Sequence, residues 1–181
     1  MNYTSHQVEV RQTDYFANWL RKLRDRQARA RIQIRIRRLS LGNFGDVKPV
    51  GEGVSELRIN FGPGYRIYLQ QRGSQLVLLL AGGDKKTMVL KTTQWDPSEY
   101  LDSPEEISAY LEEAFEDGDP ALIAAALGDI ARAIGMTEMA ARAGVTREAL
   151  YKALSPTGDP RLSTLLGVIK ALGLKLTPHA A

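Results

Sequence analysis

Thr146 and Arg147, with Glu148 beside them and Tyr151 and Lys152 one helical turn later, bring together side-chain types that read and grip DNA. A guanidinium can donate twice to the O6 and N7 edge of guanine, whereas hydroxyl and ammonium groups suit phosphate oxygens. Residues 137–154 supply the platform, reading Thr-Glu-Met-Ala-Ala-Arg-Ala-Gly-Val-Thr-Arg-Glu-Ala-Leu-Tyr-Lys-Ala-Leu. Thr137 and Thr146 are placed as helix N-caps, Ala140 is small enough for close helix approach, and Gly144 suits a left-handed turn with Val145 at the corner. Leu150 and Leu154 point back beside Met139 and Ala143. An ordinary helical hairpin shares that apolar spacing but does not require Ala140, Gly144 and Val145 together. The spacing therefore predicts a helix-turn-helix, with Arg147 reading guanine and Thr137, Lys152 and Arg161 setting register on phosphates.

The elements that position these groups are legible upstream. Gln7–Gln12 alternates as a short strand, Thr13 offers an N-cap, and two amphipathic helices follow, the second placing Ala28, Ile32, Ile36 and Leu39 on one face away from Arg29, Arg31, Arg35, Arg37 and Arg38. Leu41–Gly53 carries four glycines and a proline and reads as a loop. Val54–Asn60, Tyr65–Arg72 and Leu76–Ala81 read as strands joined by turns at Gly62-Pro63-Gly64 and Arg72-Gly73-Ser74. The first module is thus α+β, in the order β-α-α-β-β-β, and the chain ends in an all-α helix-turn-helix domain. Residues 82–102 read as a linker or arm. Ser103-Pro104-Glu105-Glu106 starts a helix to about Phe115, Asp119-Pro120 opens another that ends at Gly135, and the apolar set from Leu162 to Leu174 closes the core and offers a dimer face.

Charge divides the chain in the same way. Residues 1–87 hold sixteen basic and seven acidic side chains, residues 88–120 one lysine against ten acids, and residues 121–181 seven bases against four acids. A basic module, an acidic arm and a mildly basic module follow one another. With a net charge of only +3 on the module at 121–181, a monomer would hold DNA weakly, which implies a symmetric homodimer on the operator. The chain has no cysteine and two histidines, His6 and His179, so disulfides, thiolate catalysis and multi-histidine metal sites are excluded, and no cofactor or metal is expected. The apolar run Leu76–Ala81 falls far short of the ~20 residues of a membrane span, and no basic-then-apolar leader opens the chain, so the expected location is cytoplasmic.

Two sets of motifs carry a resemblance over nearly the whole length. Gly42-Asn43-Phe44-Gly45-Asp46-Val47-Lys48, Gly51-Glu52-Gly53-Val54-Ser55-Glu56-Leu57-Arg58, Gly62-Pro63-Gly64-Tyr65-Arg66-Ile67-Tyr68 and Leu78-Leu79-Leu80-Ala81-Gly82-Gly83-Asp84-Lys85 resemble the HigB-like killer toxins of the RelE/ParE superfamily, also called Gp49-like. Trp95-Asp96-Pro97-Ser98-Glu99-Tyr100-Leu101, Glu116-Asp117-Gly118-Asp119-Pro120-Ala121, Leu127-Gly128-Asp129-Ile130-Ala131-Arg132-Ala133 and Leu150-Tyr151-Lys152-Ala153-Leu154-Ser155-Pro156 resemble the HigA-like antidotes. The resemblance implies a type II toxin–antitoxin fusion with a RelE-like toxin module at 1–87, an acidic linker and arm at 88–120 that covers the toxin, and a DNA-binding antidote domain at 121–181.

For the toxin half the resemblance implies an mRNA endoribonuclease, or RNA interferase, working on the ribosome, where the RNA 2′-hydroxyl attacks its own phosphate. Carried over residue by residue, Arg66 clamps the phosphate, Lys85 supplies a second cation, and Arg58, Lys48 and Tyr68 line the same face, with Tyr65 as the other tyrosine able to stack on a base. Trp95, Tyr100, Leu101 and Tyr110 fall in the segment that would neutralise the toxin module, in cis or in trans. One departure bears on activity. Toxins of this kind continue past Gly-Gly-Asp-Lys into a closing helix, whereas Met88-Val89-Leu90-Lys91-Thr92-Thr93 resembles an antidote's start, which implies an uncovered sheet edge. The readings left open are a masked or vestigial ribonuclease joined to an autorepressing antidote, an active endoribonuclease released when the acidic arm is displaced, and a plain interaction domain directed at gyrase, as in some superfamily relatives.

Overall fold

A computed structural model describes residues 8–73, 75–79, 92–155 and 157–177. The chain divides at Asp96/Pro97 into two compact units, where the sequence placed its module boundaries at 87 and 120.

The first unit is α+β. Strand β1 (Glu9–Thr13) leads into helices α1 (Asp14–Lys22) and α2 (Arg26–Ser40), followed by β2 (Val47–Gly51), β3 (Val54–Ile59), β4 (Tyr65–Arg72), β5 (Gln75–Leu79) and β6 (Thr92–Gln94). Both helices begin where a side-chain oxygen can accept an unpaired amide: Thr13 Oγ1 takes the Phe16 N–H at 3.2 Å and Asp25 Oδ1 the Ala28 N–H at 3.0 Å. Phe16, Leu20, Ala28, Ile32, Ile36 and Leu39 are buried, as are Leu57, Ile59, Ile67 and Leu69, the alternate residues of β3 and β4. Period-two alternation leaves Glu56, Arg58, Arg66 and Tyr68 on the opposite face of the sheet.

Among the described residues the sheet has six strands in the order β2-β3-β4-β5-β1-β6, with β1 parallel to β5 and the other pairings antiparallel. Two expectations need correction. Residues 47–51 lie within the stretch read as loop, yet they pair with β3 from Val47↔Leu57 to Gly51↔Val54, with a register shift between Pro49 and Gly51. Proline, glycine and exposed positions mask such a strand in a sequence, because an edge strand needs neither a continuous ladder nor a buried face. Residues 92–94 lie in the stretch read as a linker but form β6, which pairs with β1 at the edge of the sheet.

The second unit is helical. A 3₁₀ turn (Pro97–Tyr100) precedes α3 (Pro104–Asp117), α4 (Pro120–Ile134), α5 (Met136–Ala143), α6 (Arg147–Ala153) and α7 (Leu162–Ala171). The expected start signals act as read: Ser103 Oγ accepts the Glu106 N–H at 3.2 Å, Asp119 Oδ1 accepts the Ala121 N–H at 2.9 Å, and a proline stands in the first turn of each helix. The first of them runs two residues past Phe115, to Asp117, where Gly118 closes it in the left-handed conformation. Leu122, Leu127, Ile130, Met139, Leu150, Leu154, Val168 and Ile169 form the buried core. Among the described residues no single helix is long and apolar enough to cross a membrane.

Candidate functional site

The cationic and phenolic residues that the resemblance assigns to the toxin site fall in the first unit. Lys48, Arg58, Arg66 and Tyr68 share one face of the sheet, while Lys85 lies outside the described residues. Strand register sets them in two adjacent rows. Lys48 of β2, Glu56 of β3 and Tyr68 of β4 stand directly opposite one another, and Arg58 stands opposite Arg66 in the next row. Tyr65 is on the other face, where its ring meets Trp19 edge-on at 6.3 Å.

Glu56 organises this face. Its side chain is 4% exposed, receives the Arg58 Nε–H at 2.5 Å, and lies 3.6 Å from Arg66 Nη1. The Arg58 bond holds the Glu56 carboxyl below its ordinary value; burial pushes the other way, and the charges of Arg58 and Arg66 and the Tyr68 hydroxyl add to the lowering. Arg58 is pushed up in return, chiefly by the same bond. The result is a fixed carboxylate that orients two guanidinium groups, with Lys48 and a half-buried phenol at the margin. Such a surface can bind a phosphodiester through its cations. Glu56 lies inside the Gly51–Arg58 motif but is not among the residues that the sequence reading assigns a role. The readable signal is Glu-x-Arg in a strand, which puts both side chains on one face.

The arginine-rich helix α2 is engaged with its own unit. Arg31 lies 4.6 Å over the Phe61 ring, and the Arg35 guanidinium packs so close to Gly45 that a Cβ there would meet Nη2 at 2.9 Å.

At the far edge of the same sheet, β6 pairs with β1 through Arg11↔Gln94, Gln12↔Thr93 and Thr13↔Thr92, and the Trp95 N–H continues the ladder to the Val10 carbonyl at 2.9 Å. Trp95 is 5% exposed and lines a cavity of about 340 Å³ with Val8, Val10, Arg37 and Ser40. Of the other residues assigned to neutralisation, Tyr100 and Leu101 are buried in the second unit, and Tyr110 donates to Asp129 Oδ2 at 2.8 Å within its core.

The turn between α5 and α6 has the expected construction. Gly144 has φ 70°, the Val145 N–H returns to the Ala140 carbonyl at 3.0 Å, and Thr146 Oγ1 caps α6 by accepting the Ala149 N–H at 3.1 Å. Thr137 is not a cap; α5 begins at Met136, with Gly135 in the cap position and no side-chain bond, and Thr137 falls in the first turn. Arg147, Glu148, Tyr151 and Lys152 are exposed on α6, and the Arg147 guanidinium lies 5.4 Å over the Tyr151 ring. Leu162 and Leu166 of α7 are 69% and 46% exposed.

Comparison with known proteins gives three results. The family described as "Probable addiction module antidote protein" matches residues 91–180. Two proteins of Haemophilus influenzae, both named only as uncharacterized, are similar: one is 50% identical over 80 residues, covering 44% of this chain and 81% of the relative, and the other is 48% identical over 88 residues, covering 49% and 91%. No solved structure matches.

Proposed function

We propose, for a chain that belongs through residues 91–180 to the addiction module antidote family, that it is a toxin and its antidote joined in one polypeptide. The antidote part implies a toxin partner, and the N-terminal unit is the candidate for that partner. The observation that carries the joined reading is β6: residues 92–94 open the antidote-matching segment and at the same time form the outermost strand of the basic unit's sheet.

In this reading the N-terminal unit is an mRNA-interferase-like module of RelE/HigB type. Arg58 and Arg66, held by Glu56, bind the scissile phosphate, Lys48 adds charge, and Tyr68 stacks on a base or gives a proton to the leaving oxygen. The second unit binds operator DNA as a homodimer and represses its own transcription, with Arg147 and Tyr151 toward base edges and Lys152 toward phosphate. Thr137, Thr146 and Glu148 lie in the first turns, beside the backbone they position. A second reading is favoured by the intact Glu56–Arg58–Arg66 group: the module is a live endoribonuclease that cuts once the arm is displaced, rather than a vestige.

Inducing residues 1–87, residues 1–96, the full chain and the Arg66→Ala form of residues 1–87 tests these readings, with growth and protein synthesis followed and solubility and circular dichroism checked for each. Arrest by residues 1–87, weakened when β6 is kept in 1–96 and lost with Arg66→Ala, is the expected outcome. A folded, soluble and harmless 1–87 segment makes the module vestigial and leaves a DNA-binding regulator.

A further inference from the structure

The β1–β6 contact is more specific than its length requires. Three residues of β6 pair with β1, and backbone ladders of that length hold any extended peptide weakly. Here one side chain does more. Arg11, on β1, donates from Nε to the Thr92 hydroxyl at 2.9 Å and from Nη2 to the Thr92 carbonyl at 2.9 Å. Its remaining nitrogen, Nη1, donates to Glu9 Oε1 at 3.0 Å, and Glu9 Oε2 accepts from Gln75 Nε2 at 3.1 Å. Glu9 stands opposite Gln75 in the β1–β5 register, so a polar chain crosses β5, β1 and β6 and orients the guanidinium toward Thr92. Three positions after Thr92, Trp95 is buried beside Val8, Val10 and the last turn of α2.

We propose that the β1 edge is a strand-addition site whose partner is an extended antidote arm, with Arg11 selecting the arm by its hydroxyl residue and a slot beside α2 accepting the aromatic residue three places later. Residues 92–95 supply that arm in cis. The side chain of valine at position 92 would keep the shape of threonine but leave an Arg11 donor without its acceptor, which is how the site discriminates. Glu9 is a positioning residue, since it touches Arg11 and not the arm. This inference rests on the proposed antidote role of the arm, but its chemistry is independent of ribonuclease or DNA-binding activity.

Amide exchange in the full chain tests it, because the Trp95 N–H is protected while the arm is paired. In Arg11→Ala and in Thr92→Val the Trp95 amide is expected to exchange about tenfold faster, while the core amide of Ile67 keeps its rate. Thr92→Ser, which retains the hydroxyl, is expected to keep the native rate. The double variant is expected to be no faster than Arg11→Ala alone, since that change already removes the hydroxyl bond that Thr92→Val breaks. A labelled peptide of residues 92–101 is expected to bind the Thr92→Val chain and to lose that binding when Arg11→Ala is added. Native Trp95 exchange in both single variants overturns the proposal, and so does equal peptide binding with and without Arg11. A harmless 1–87 segment would remove the toxin reading while leaving these results standing; toxicity with unselective peptide binding would remove the Arg11 assignment alone.

Discussion

The carboxylate of Glu56 and the guanidinium of Arg58 meet at 2.5 Å although they belong to residues two apart on one strand, with the acid 4% and the base 44% exposed. Antiparallel pairing then sets Arg66 directly opposite Arg58, so one buried acid serves two cations. This ties the stability of the sheet face to pH. Because the folded-state value of Glu56 is lowered, its contribution is present above the unfolded value, near the ordinary 4.5, and is lost as pH falls through the folded one. The urea midpoint of the native chain is expected to exceed that of Glu56→Gln at neutral pH, with the gap closing below the ordinary glutamate range.

Arg58 and Arg66 are expected to separate binding from stability. Arg66 is 64% exposed and 3.6 Å from Glu56, so Arg66→Ala should weaken retention on a phosphodiester column or RNA while leaving the urea midpoint nearly unchanged. Arg58→Ala removes the short bond to a buried acid and should lower the midpoint as well. Equal effects of the two substitutions on both measurements would contradict the geometry.

On α6, proposed above to read DNA, Arg147→Ala is expected to weaken binding to the specific operator by ~1–3 kcal/mol and relax discrimination at one base pair. Lys152→Ala should instead weaken all sequences alike and reduce the salt dependence by about one phosphate contact. Titrations at several salt concentrations, with specific and scrambled duplexes, distinguish the two.

Gly128 in α4 allows a close helix approach, since a Cβ at that position would lie 2.7 Å from the Leu154 carbonyl oxygen. The clash is with backbone and cannot be relieved by a rotamer change. Gly128→Ala is therefore expected to destabilise the second unit by ~1–3 kcal/mol despite alanine's better helix propensity. Thermal unfolding of the full chain measures it.

Local rules made much of the molecule readable in advance. Thr13, Ser103, Asp119 and Thr146 cap helices where they were expected to, because a cap is satisfied by an amide two or three residues away. The face pattern of α2 and the Gly144 turn are local in the same sense. Where local signals competed, one misled: Thr137 has the right side chain, but the cap falls two residues earlier at Gly135 and α5 starts at Met136. That Lys48, Arg58, Arg66 and Tyr68 line one face was implied by the family resemblance and not by any local rule.

Their common face became definite only when β2, β3 and β4 took their register, which depends on pairing between strands and not on any one of them. Glu56 shows the same division, since its neighbour Arg58 lies two positions away in sequence but Arg66 and Tyr68 reach it across the sheet, with Lys48 opposite it in register. Most distant of all is the grip of Arg11 on Thr92, 81 residues away. Composition and periodicity carry the basic and acidic blocks, the helix faces and the turn chemistry, because those effects act within a few residues. Tertiary structure decided which strand closes the sheet and which carboxylate orders the arginines, because hydrogen bonds between distant segments have no signature in the spacing of either segment alone.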